Sequence, residues 1–314
     1  MKPIMLLLQQ FTNSTVAAIR LLILMTILNI FGITTYKAMA QEIRPGIFFQ
    51  VTGNELTDTS YLFGTYHLVN SDYLHKLKPV EQAFEKARGV VVEIIMDTAE
   101  MQKAQVHALS KDTSLTALLD QSFIDSLENE LKENVGIGLQ YFNQLKPMNV
   151  TLTLSLIYLM KNNAELLKQY TGQPLDQYIS SKGRENNKTV IPLETISEQM
   201  NLLFNSSSIE KQAEGLKAFI RNKKAMLAMG DELLQHWFKH DLAGMYPVYE
   251  KTIALSGEED YLLKNRNLQW MKKIPSLLKK ESQFIAIGAL HLAGEFGLVT
   301  QLRNAGYTVT PVKL

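Results

Sequence analysis

The chain has 314 residues, 46% of them hydrophobic and 20% charged, with a formal net charge of +1. That is enough apolar material for a large core and too little basic surplus for a partner as anionic as nucleic acid. The absence of cysteine excludes disulfides, thiolate-bound zinc, iron–sulfur clusters and a lipid on an N-terminal Cys.

The first 40 residues hold Lys2, Arg20 and Lys37 and no acidic residue, which leaves 29 basic against 31 acidic groups in the remainder. Arg20 precedes an apolar run over residues 21–35, and Lys37-Ala38-Met39-Ala40 supplies small residues at the −3 and −1 positions of a cleavage site. This pattern predicts a signal peptide over 1–40 and a body over 41–314 that is periplasmic or secreted. The run is shorter than the roughly 20 apolar residues that span a bilayer, so membrane attachment is expected only if the leader is retained.

Residues 47–51 (IFFQV) and 60–65 (SYLFGT) are rich in aromatic and β-branched side chains and flank the turn-like Thr52-Gly53-Asn54. They predict a strand pair. A helix over 77–87 and a strand over 89–95 (GVVVEII) follow, the latter an apolar run typical of a strand buried on both faces. From about 98 to 188 apolar residues recur at three- and four-residue spacing, interrupted by Gly136, Gly138, Pro147 and Pro174, which predicts a helical insertion. Strand character returns at 189–193 (TVIPL). Residues 209–265 are again mostly helical, with Pro247 as the expected break. A strand over 283–287, a turn, a helix over 296–304 and a strand over 307–312 close the chain. The expected fold is α/β: one domain with a central mixed sheet made by pairing the two ends of the body, helices on both faces, and the insertion over the strand ends.

Gly64-Thr65-Tyr66-His67 and Gly288-Ala289-Leu290-His291 repeat one device, an imidazole three residues after a glycine at the end of a hydrophobic strand. Glycine is expected there to let the backbone leave the strand sharply. Glu93 sits inside an apolar strand, and Glu194 directly follows another. A carboxylate in such a place is costly unless partnered. If these strands are parallel neighbours, His67, Glu93, Glu194 and His291 meet in one crevice, a donor set that suits a divalent metal such as Zn²⁺, Mn²⁺, Fe²⁺ or Co²⁺. Either histidine alone is equally a hydrogen-bonded turn residue, and Glu194 equally a helix cap or salt-bridge partner; the repetition of the device is what points to a site. His236 and His240 stand four apart, as two ligands on a helix would, but Trp237 occupies the place of the glutamate in a zinc-peptidase helix motif. His75 and His107 read as solvated. Ser206-Ser207-Ser208 reads as a loop and helix cap, and no phosphate-cradling loop is present.

The sequence resembles the TraB/GumN family and the related Tiki-type metal-dependent peptidases. The resemblance rests on Leu62-Phe63-Gly64-Thr65-Tyr66-His67, Val91-Val92-Glu93, Leu193-Glu194-Thr195 with Glu198-Gln199, Arg266-Asn267 with Trp270, and the long motif from Ile287 through His291 to Leu298. It implies that His67, Glu93 and His291 belong to a catalytic or metal-binding set, with Arg266 a further member. It also implies hydrolysis of a peptide or other small substrate through a metal-bound water, with Glu93 or Glu194 accepting the proton and Arg266 at the oxyanion. Erythromycin-esterase-like relatives imply an alternative without metal, in which His and Glu activate water. A third expectation is a non-catalytic envelope protein linked to polysaccharide export.

Overall fold

In a computed structural model, residues 46–256 and 261–314 are described; the leader lies outside the described residues. Strands β1 (Phe48–Gly53) and β2 (Ser60–Thr65) form the expected antiparallel hairpin. Helix α1 (Lys78–Lys86) leads to β3 (Gly89–Val92). The chain then runs through α2 (Thr98–Ala104), α3 (Gln121–Asn134), α4 (Pro147–Asn162) and α5 (Leu175–Glu185) before β4 (Thr189–Pro192). A second helical stretch comprises α6 (Ile196–Asn205), α7 (Ile209–Arg221), α8 (Lys223–Phe238), α9 (Leu242–Ser256), a π-helical turn Tyr261–Asn265, α10 (Arg266–Trp270) and α11 (Ile274–Lys280). Strand β5 (Gln283–Gly288), a 3₁₀ turn Ala289–Leu292, α12 (Leu298–Asn304) and β6 (Tyr307–Pro311) complete it.

The strands form one mixed sheet in the order β4-β3-β5-β2-β1-β6. The two ends of the body do pair: β1 lies antiparallel to β6 and to β2, while β2, β5, β3 and β4 are parallel neighbours. Their registers, Thr65↔Gly288, Val92↔Ala286 and Val92↔Pro192, bring the C-terminal ends of four parallel strands to one edge. Leu62, Phe63, Val90, Val91, Ile285 and Ile287 are fully buried, as strands covered on both faces require. Helices α1 and α5 lie in connections that step in the same direction along the sheet, so right-handed crossovers put both on one face. There Phe84 meets Phe284 edge-on at 5.5 Å, and Gly183 lies directly against Val90 and Val190.

Two expectations are corrected. The strand over 89–95 ends at Val92, because the Glu93 carbonyl accepts the N–H groups of Leu193 and Glu194 instead of continuing a ladder. Pro247 does not break the helical stretch: it lies in the second turn of α9, whose Met245 and Val248 are buried. Its fixed φ is compatible with a helix there, and the cost is one hydrogen bond. The break falls at His240, which takes a positive φ of 55° between α8 and α9. The insertion also has its own core, where Phe123, Leu127 and Leu131 of α3 and Val150 and Leu154 of α4 pack with Leu216 and Phe219 of α7. Among the described residues no helix is long and apolar enough to cross a membrane.

Candidate functional site

The four parallel strand ends deliver His67, Glu93, Glu194 and His291 to one side of the sheet, and α10 brings Arg266 over them. Arg266 is the hub. Its Nη2 donates to Glu93 Oε2 and, at 2.6 Å, to Glu194 Oε1; its Nε donates to Glu194 at 3.0 and 3.2 Å; its Nη1 donates to His291 Nε2 at 2.9 Å. The guanidinium plane lies 4.7 Å over the Trp270 ring, and Trp270 Nε1 donates to Glu194 Oε2 at 3.2 Å. Glu93, Glu194 and Arg266 side chains are 8%, 11% and 12% exposed, so this is a buried network in which each charge is paired. Glu194 is therefore a salt-bridge member of the site; the cap of α6 is Thr195, in a capping box with Glu198.

The state of His291 follows from its neighbours. Asn267 Nδ2 donates to the carbonyls of His291 and Phe296, which turns Asn267 Oδ1 toward the ring, 2.7 Å from Nδ1. Nδ1 must then carry the proton, and Nε2 is left as the acceptor of the Arg266 N–H. Burial, opposed by Glu93 and reinforced by Arg266, pushes the imidazole down to about 3, so it is neutral at physiological pH. Burial alone would raise the Glu93 carboxyl, but positive charge nearby outweighs it. His291, the largest of these when protonated, together with Arg266, His67 and the Gly288 N–H, 2.7 Å from Oε1, holds Glu93 at about 2.

His67 is different in kind. Its side chain is 70% exposed and opens on the crevice, while its Nδ1 meets Asp176 Oδ2 at 2.7 Å. Thr65 Oγ1 donates to the other oxygen of Asp176, fixing the carboxylate. This pairing, aided by the charge of Glu93, raises the imidazole to about 9 against the opposing effects of desolvation and of Arg266. Asp176 was not legible in the sequence: it lies 109 residues from His67, and an acidic residue in the first turn of a helix ordinarily reads as a partner of the helix dipole.

The glycines act otherwise than expected. Neither Gly64 nor Gly288 has a positive φ. What counts is the missing side chain. A Cβ on Gly64 would lie 2.9 Å from the Ala289 backbone, so Gly64 admits the turn that carries His291. A Cβ on Gly288 would stand 3.2 Å from Glu93 Oε1, 3.6 Å from His291 Cδ2 and 3.9 Å from His67 Nε2. Gly288 thus floors a small space onto which three of the site residues face. That space opens into a crevice of about 730 Å³ walled by Val92, Ile94 and Met96 on one side and by α5 on the other.

Metal binding requires lone pairs that converge on one point. His67 Nε2 is available, but His291 Nε2 and Glu93 Oε2 face the Arg266 guanidinium while Glu93 Oε1 accepts the Gly288 N–H, and among the described residues no group of three or more His, Asp or Glu is arranged to hold a metal ion. As placed, the set does not fit a three-ligand metal site. The other histidines are engaged separately: His236 with Asp241 at 2.8 Å, His240 with Tyr73 at 2.9 Å, His75 with Glu81 at 2.7 Å, and His107 with Ser197 at 3.1 Å. Ser208 caps α7, as expected of that serine run.

Fold and site together define an α/β protein with a charged pocket at the carboxyl edge of a largely parallel sheet, the place where such sheets bind ligands. The model of the TraB/PrgY/gumN family matches residues 47–311. The chain belongs to this family. No curated protein and no solved structure matches it.

Proposed function

We propose that the protein is a hydrolase of ester or amide bonds in which His67, oriented by Asp176, is the general base. The observation that carries this reading is the convergence of a solvent-facing His67 Nε2 and Glu93 Oε1 on the space over Gly288, while Arg266 holds the remaining site groups. In this reading the attacking water sits between these two groups. His67 Nε2 takes its proton as the oxygen attacks the carbonyl carbon; the same proton then passes to the leaving oxygen or nitrogen as its bond to carbon breaks. Four of the five guanidinium N–H groups of Arg266 are engaged, which leaves one Nη1–H to stabilise the oxyanion.

A metal-dependent form is the second reading, favoured by one feature: a carboxylate on the distal nitrogen of His67 is also the usual support of a metal-bound imidazole. In that form Arg266 would have to release Glu93 and His291, and those two with His67 would hold Mn²⁺, Zn²⁺, Fe²⁺ or Co²⁺. The test is a screen of peptide and ester substrates before and after chelation, with elemental analysis and His67→Ala as the control. Turnover that survives chelation and disappears in His67→Ala supports the first reading; turnover lost on chelation and restored by one metal supports the second; no turnover on any substrate removes both and favours a binding protein of the envelope. The leader pattern in residues 1–40 supports a periplasmic or secreted body. A native N-terminus at Met1 rather than Gln41 would contradict cleavage.

A further inference from the structure

The wall of the crevice formed by α5 has a use that the hydrolytic residues leave unassigned. Asp176, Ser180 and Arg184 stand four residues apart, with Gln177 and Ser181 beside them, so the five share one face of the helix; all line the crevice. Of the charged groups lining the crevice, Glu93 is paired with Arg266 and Asp176 with His67. Arg184 has no ion pair or side-chain hydrogen bond among the described residues. Ser180 is 4% exposed, and its Oγ is buried without a hydrogen-bond partner, an arrangement that costs free energy unless something else supplies the bond. An unsatisfied hydroxyl and an uncommitted guanidinium on one stripe call for a ligand with anionic oxygens.

The charges set where such a group goes. Around the chemical centre Glu93, Glu194 and Asp176 outnumber Arg266 and His67, so an anion is repelled from it and drawn to Arg184. Eight helical residues separate Asp176 from Arg184, about 12 Å, which is roughly three residues of extended chain. Resting on the hydrolase reading, we infer that Arg184 and Ser180 form a subsite for an anionic group, a carboxylate or a phosphate, carried by the substrate about three residues from the bond that is cleaved.

Binding is measured by calorimetry in the His67→Ala background, where turnover is not required and failure of hydrolysis is distinguishable from failure of the subsite. The probes are acetyl-(Ala)n-Glu amides with one to four alanines, their Gln counterparts and their phosphoserine counterparts. The Glu peptide is expected to bind about tenfold or more tighter than the Gln peptide, the range of a hydrogen bond to a charged group, with the preference greatest at two or three alanines. It should fall to about one in Arg184→Gln and reverse in Arg184→Glu, with Ser180→Ala weakening the acidic peptide several-fold. Tighter binding of phosphoserine than of Glu would name phosphate as the source of the anion. Equal binding of Glu and Gln peptides throughout the series, or a preference unchanged in Arg184→Gln, would overturn the inference.

Discussion

Arg266 has no substitute among the standard side chains, because only a planar guanidinium can donate to two carboxylates and an imidazole at once. Arg266→Ala would leave Glu93 and Glu194 buried and unpaired, and the expected loss is about 3–5 kcal/mol in urea unfolding. Glu93→Gln keeps Arg266 paired with Glu194, so it should cost clearly less while lowering turnover by roughly 10²–10⁴. Equal destabilisation by the two changes would mean that Glu93 serves the fold rather than the chemistry. His67 gives a second prediction. Asp176 stabilises the imidazolium, so the free-base form that acts as general base accumulates only as pH rises toward about 9. kcat/KM should therefore climb through the alkaline range, and Asp176→Asn should move this limb down toward 6.5 and lower the plateau. A profile that instead falls above neutrality would identify His67 as a general acid.

At the scale of elements, the two Gly-x-x-His turns look alike in sequence and do different work. Gly64→Ala forces a methyl against the Ala289 backbone, which cannot yield without moving the turn that holds His291. The expected cost is about 1–3 kcal/mol of stability. For Gly288→Ala the nearest atoms belong to the Glu93, His291 and His67 side chains, at 3.2–3.9 Å, and none is backbone. It should leave the melting temperature nearly unchanged and impair turnover, because the methyl occupies the space where water and substrate meet. Comparing melts with initial rates for the pair checks this; a stable, active Gly288→Ala protein would show that the space is not the reaction centre. The repetition was visible from sequence, whereas the division of labour was not, since it depends on how closely two strand ends 224 residues apart approach.

The whole molecule should show its buried site in its response to acid. His291 is neutral in the fold down to about pH 3, whereas in the unfolded chain it takes a proton near 6.5. Between those values the unfolded state holds the extra proton, so stability falls as pH drops. Glu93, depressed to about 2 from 4.5, extends the loss to lower pH by the same sign. His67 acts oppositely, since its raised value contributes stability that is lost as pH rises from 6.5 through 9, and its exposure screens that contribution. Urea unfolding should be most favourable to the fold near pH 6.5 and lose on the order of 3–5 kcal/mol by pH 3 from His291 alone. His291→Gln should be less stable at pH 6.5 but flatter toward acid; an unchanged acid slope would show that His291 is not held neutral.

Local chemistry determined what the sequence shows by itself. Side-chain periodicity placed the sheet strands and the helical middle, and polar residues at the ends of apolar strands marked His67, Glu93, Glu194 and His291, because burying such groups needs a reason that neighbours in sequence do not supply. The Arg266-Asn267 pair was reached through resemblance, since nothing in its own surroundings sets it apart. Tertiary structure alone decided the insertion of β5 between β3 and β2, the capture of both carboxylates and His291 by Arg266, and the joining of Asp176 to His67 across the helical insertion. These are contacts between segments far apart in the chain, and their energy depends on distance and desolvation in three dimensions, which no spacing along the sequence encodes.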